Sequence, residues 1–167
     1  MDDLKKQFAK IYDKNVDAIY RFVFFKVNSE EIAQDLTSEA FMKSWQVFQK
    51  EGLKIENPRA FVYRTARNLV IDYYRKKARM TAVSIDDISL PEQGQCLEEK
   101  IFINSDFEQV KKALQFLRED YQSIITMHYI EGMSSKEISK VMKRSEGAIR
   151  VLLHRALNSL KQEIKEA

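Results

Sequence analysis

Along most of this chain apolar residues recur three and four positions apart, the period of a helix that buries one face. Phe8, Ile11, Tyr12, Ile19, Phe22 and Val23 form one such stripe. They predict a helix from about Leu4 to Val27, broken near Asn15 to give four helices ahead of residue 80, or continuous to give three. A second stripe holds Ile32, Leu36, Ala40, Phe41, Trp45 and Phe48. It starts behind Ser29, a capping residue type, with Glu30 and Glu31 at the positive end of the helix and Gly52 near its close. Asn57-Pro58 opens another helix, to about Arg79: an N-cap, then a residue that needs no hydrogen-bond donor.

A second set begins with Phe107, Val110, Ala113, Leu114 and Leu117. Tyr121, Ile124, Ile125 and His128 make the next stripe, ending near Glu131-Gly132. Ser134 and Glu137 stand at the spacing of a capping box, ahead of Ile138, Val141 and Met142. Lys143-Arg144 makes a tight turn, Ser145 offers a second cap, and Ile149, Leu153, Ala156, Leu157 and Leu160 carry the last helix. Between Thr81 and Asn104 no stripe persists; Pro91, Gly94 and Cys96 stand there among Asp86, Asp87, Glu92, Glu98 and Glu99. The pattern predicts an all-α fold of two small helical domains, residues 1–80 and 105–167, joined by an acidic linker over 81–104. The C-terminal domain reads as a helix-turn-helix.

In that motif the second helix enters the DNA major groove through its N-terminal residues, here Glu146, Gly147, Arg150, Val151 and His154. Arg150 suits guanine or a phosphate. The competing reading is a helical hairpin packed only as core. In the first domain Arg64, Arg67, Asn68, Asp72, Arg75 and Arg79 recur along one side of a helix, a surface that can track phosphates. Tyr63, Tyr73 and Tyr74 interleave with these charges, the mixture that holds unpaired bases. Trp45 sits at core spacing and reads as structural.

Charge sharpens the division. Residues 1–80 carry 16 Lys and Arg against 11 Asp and Glu, and residues 105–167 carry 11 against nine. Residues 81–104 carry one Lys against five acids, so two basic blocks flank an acidic bridge, as for a polyanion gripped in two places. One cysteine excludes an internal disulfide framework. The start lacks a signal peptide's basic end and apolar run, and no segment approaches a membrane span, so a soluble, cytoplasmic protein without membrane insertion is expected. His128, His154 and Cys96 share no metal-ligand spacing, and no glycine-rich phosphate loop occurs. No cofactor, metal or catalytic residue is expected, and the chain reads as a non-enzyme.

Three segments resemble the extracytoplasmic-function (ECF, group IV) sigma factors of bacteria. Ala33-Gln34-Asp35-Leu36-Thr37-Ser38-Glu39-Ala40-Phe41, followed by Trp45, resembles the family's RNA polymerase-binding helix. Pro58 through Arg75 resembles its −10 promoter helix, and Tyr129 through Ala156 its −35 helix-turn-helix. The resemblance implies a subunit that binds core RNA polymerase, directs it to promoter DNA, both duplex and melted non-template strand, and helps to open the DNA. By position, Asp35, Leu36, Glu39 and Phe41 would meet or support the polymerase clamp helices. Arg64, Arg67, Asn68 and Arg75 would contact the −10 DNA, and Arg150, His154 and Arg155 the −35 DNA. Lys50 to Asn57 would match the loop that captures a flipped −10 base. The resemblance also implies an anti-sigma factor able to hold the two DNA-reading domains together. A stand-alone DNA-binding regulator is the alternative, and it leaves residues 29–79 without a purpose.

Overall fold

The structure is a computed structural model, and it describes residues 2–83 and 105–166. Helix α1 is Asp2–Val27, unbroken at Asn15, whose side-chain amide donates to the Ile11 carbonyl at 2.8 Å. The first domain therefore has three long helices. Asn28 turns the chain in the left-handed region (φ 54°) while its N–H bonds the Phe24 carbonyl. Ser29 caps α2, Glu30–Glu51, by accepting from the Ile32 N–H. Gly52 ends that helix at φ 52°, a backbone conformation that excludes most side chains, and begins a single 3₁₀ turn, Gly52–Lys54. Asn57 Oδ1 accepts from the Ala60 N–H at 3.0 Å and starts α3, Pro58–Val83. Thr81 to Val83, expected in the linker, continue this helix. The rest of the linker, with Cys96 and its acids, lies outside the described residues.

Ile19, Phe22 and Val23 of α1, Ala33, Ala40 and Phe41 of α2, and Val62, Tyr63, Ala66 and Val70 of α3 form the first core. Tyr63 is fully buried, edge-on to Phe22 at 5.5 Å between ring centres. It is core, not a platform for stacked bases: Tyr63, Ala66 and Val70 share one inward face.

The second domain comprises α4, Ser105–Gln115, α5, Glu119–Ile125, α6, Ser135–Met142, and α7, Glu146–Glu166. A π turn, Thr126–Ile130, prolongs α5, and the Glu131 N–H reaches the Thr126 carbonyl five residues back. The wider turn rotates Met127 fully inward, and His128 is only half-buried, its Nδ1 2.9 Å from the Met133 carbonyl oxygen. Leu114, Ile124, Met127, Met133, Ile138, Ile149 and Ala156 fill the core. The domains lie in contact, α3 against α6 and α1 against the π turn. No helix among the described residues is long and apolar enough to cross a membrane.

Candidate nucleic-acid interface

The helix-turn-helix is built by local chemistry. Ser134 accepts from the Glu137 N–H, and the Glu137 carboxylate returns to the Ser134 N–H, closing a capping box on α6. Lys143 then takes the left-handed conformation (φ 55°), and Ser145 Oγ accepts from the Ala148 N–H at 3.1 Å to start α7. Ile149, Leu152, Ala156 and Leu160 face the core, which turns Arg150, Val151, His154 and Arg155 outward. The Arg150 side chain is 68% exposed, with only a 3.4 Å contact to Glu146 one turn back. His154 touches Asn158 at 3.3 Å. All three residues expected on −35 DNA thus share one open face.

The residues expected on −10 DNA divide. Asn68 is exposed, and so is Arg75, which lies 4.0 Å from the Asp72 carboxylate one turn back. Arg64 and Arg67 instead meet the second domain. Arg67 donates through Nε and Nη2 to the two Glu119 oxygens at 2.9 and 2.8 Å, a bidentate fork. Arg64 donates to the carbonyls of Lys140 and Val141 at 2.8 and 3.3 Å, near the negative end of α6.

Three further cations of the first domain join them, none of which the sequence pattern singles out. Arg21 forks onto Glu131 at 2.8 and 2.9 Å, Arg59 reaches Glu137 at 2.9 Å, and Lys26 reaches Glu119 at 2.7 Å. Burial strips the Lys26 ammonium of water and pulls its pKa down to about 8, against the attraction of Glu119. Burial pushes Glu119 the other way, but hydrogen bonds from Arg67, Lys26 and Ser123 overcome it and hold the carboxyl at about 2. Glu119 is an anion here, shared between two cations. Spacing marks a residue as polar and outward; it carries no signal for partners that lie 52 to 110 positions away.

On α2, Asp35 is exposed and Glu39 is half-buried, 3.4 Å from Lys43. Leu36 and Phe41 are buried, so they hold that face from beneath and do not present themselves to a partner. Phe41 lies against Tyr12 at 4.8 Å between rings. Next to it Phe8, Tyr12, Phe41, Met42 and Trp45 line a mainly apolar groove of about 510 Å³. Met42 is 60% exposed, seven residues after Asp35 and so on the same side of α2; that period was the available signal for it. Among the described residues no three His, Cys, Asp or Glu side chains are placed to hold a metal.

Residues 11–80 match the family description Sigma-70 region 2, and residues 107–160 match Sigma-70, region 4. The chain belongs to the sigma-70 family. It is 27% identical over 154 residues to the ECF RNA polymerase sigma factor BldN of Streptomyces coelicolor, covering 92% of this chain but only 58% of BldN. It is 26% identical over 157 residues to the ECF RNA polymerase sigma factor SigM of Bacillus subtilis, with 91% of each chain covered. Within the sigma-70 family, these relatives put the chain among the ECF sigma factors. The fold is shared with the sigma factor RpoE of Bartonella quintana, solved in complex with the anti-sigma factor NepR (TM-score 0.67, 22% identity, 96% of this chain and 98% of that one). It is shared also with CnrH, solved with the cytosolic domain of CnrY (TM-score 0.68, 18% identity, 97% and 90% covered).

Proposed function

We propose that this chain is a group IV promoter-specificity subunit that binds core RNA polymerase, recognises −10 and −35 promoter DNA, and assists strand opening. It acts in the cytoplasm as a non-catalytic partner of the polymerase. The observation that carries this reading is the open face of α7. Arg150, His154 and Arg155 project together from the second helix of a capped helix-turn-helix, in a chain that also matches sigma-70 region 2. The α2 face of Asp35 and Glu39, held by Leu36 and Phe41, is the surface for core polymerase. Asn68, Arg75, Arg64 and Arg67 of α3 serve the −10 element. An anti-sigma factor is a further expected partner, since RpoE of Bartonella quintana, which shares this fold, was solved in complex with the anti-sigma factor NepR.

The test is transcription of genomic DNA by core polymerase with and without the purified chain, with the 5′ ends of the transcripts sequenced. A discrete set of new start sites sharing two spaced motifs is expected. No co-elution with core enzyme and no new start sites would overturn the proposal.

A further inference from the structure

The open face of α7 carries two residues that neither charge nor packing explains. Val151 is 51% exposed, while the other large apolar side chains described on α7, from Ile149 to Ile164, are buried or half-buried. It stands among the polar side chains that face outward, beside Arg150 and one turn before Arg155. One turn earlier on the same side lies Gly147, in the first turn of the helix. Glycine fixes a helix less well than alanine, and nothing inside the molecule asks for it there. Its backbone is not left-handed, and a Cβ built on it meets no atom within 4 Å. What a bare backbone does provide is close approach by a surface from outside. Gly147 and Val151 thus leave a shallow apolar notch, bordered by Arg150 in its 3.4 Å contact with Glu146. Among the groups that bases present in the major groove, the apolar one is the C5-methyl of thymine.

We propose that Gly147 and Val151 form a thymine-reading notch: the glycine lets the helix backbone come close to the base edge, and the valine methyls cover the thymine C5-methyl. This rests on the sigma-subunit reading and deepens it, by naming a base that the −35 face specifies. Arg150 next to the notch can hold either guanine or a phosphate, so its presence alone does not fix a sequence. The notch adds a preference that no hydrogen bond and no phosphate carries. Burial of one methyl against another is favoured wherever water leaves both.

The test uses the full chain and the duplex it enriches from a randomised duplex pool. Each thymine of the enriched motif is replaced singly by deoxyuridine, which lacks the methyl and keeps every hydrogen-bonding group of the base. Fluorescence anisotropy reads the affinity. At one thymine the replacement should weaken binding about fourfold, the worth of one buried methyl, and at the others much less. Val151→Ser, matched to valine in helix propensity, should bind the thymine and uracil duplexes equally, at the weaker affinity. Gly147→Ala fills open space, so it should not lower the melting temperature, yet it should weaken binding to the thymine duplex severalfold. A chain indifferent to every uracil overturns the proposal, and so does a Val151→Ser variant that keeps the fourfold difference. Should that variant lose its helical circular dichroism, Gly147→Ala decides, and unchanged binding by it refutes the notch. A pool that yields no motif, or one without A·T pairs, overturns the notch as well. Capture of core polymerase by the unaltered chain reports separately on the sigma-subunit reading. Its failure would remove that reading while the uracil result still stood.

Discussion

Replacing Glu119 by Gln preserves the shape of the side chain and removes the charge that Arg67 and Lys26 share. In the folded chain the carboxyl sits at about 2, against an ordinary 4.5. That difference corresponds to roughly 3 kcal/mol of stability at neutral pH. Glu119 keeps about a third of its side-chain surface, so solvent screening lowers the useful figure to about 2 kcal/mol. The sign follows from proton uptake. Below 4.5 the unfolded carboxyl binds a proton that the folded one refuses until about 2, so the stabilisation is complete above the first value and disappears towards the second. Lys26 titrates far above this window, near 8 when folded and 10.5 when not, so it stays charged in both states throughout. Urea unfolding followed by circular dichroism, for both proteins between about pH 7 and about pH 2.5, measures the gap. The variant should be less stable by about 2 kcal/mol at pH 7, and the two curves should converge in acid. A gap that persists unchanged to the acid limit would show that packing and not charge is what Glu119 supplies.

Ile149→Ala removes a fully buried side chain where α7 meets the core of its domain, and should cost about 2–5 kcal/mol in the same denaturation assay. Ser134→Ala deletes the hydroxyl of the α6 capping box and should cost about 1 kcal/mol, with no change in helix content at low temperature. Arg150→Ala should leave the melting temperature unaltered, because the side chain is exposed, while weakening duplex binding by about 1–3 kcal/mol on a cognate −35 site; equal losses on scrambled duplex would make Arg150 a phosphate contact. Asp35→Ala should reduce co-elution with core polymerase at unchanged stability, and unfolding of that variant would make Asp35 structural.

What the sequence made legible was chemistry completed within a few residues. Ser29, Asn57, Ser134 and Ser145 each accept the N–H three residues on, where a cap must. Much of each buried stripe follows from period, but in α7 it is Leu152 that is buried while Leu153 and Leu157 are only part-buried, and Tyr12 of α1 is exposed. The π turn does not follow from it, because Tyr121, Ile124, Ile125 and His128 keep the spacing of an unbroken helix while one extra residue per turn carries Met127 inward. Tyr63 misled for a related reason: an aromatic beside Arg64 suits a base-stacking surface, yet its position three and seven residues before Ala66 and Val70 puts it inside.

Arg64 and Arg67 show where such reading stops. A planar cation on an outward helix face is required equally by a DNA phosphate and by a glutamate of a neighbouring domain, and the spacing is the same for both. The exposed Arg75 and Arg150 and the enclosed Arg67 are therefore indistinguishable along the chain. Only the placement of Glu119, 52 residues from Arg67, separates them. Glu119 looks like an ordinary acid in the first turn of α5, favoured there by the helix dipole whatever else it touches. One local reason is enough to explain such a residue, and that sufficiency hides the second. A sequence thus discloses which side chains can bind an anion long before it discloses which anion reaches them first.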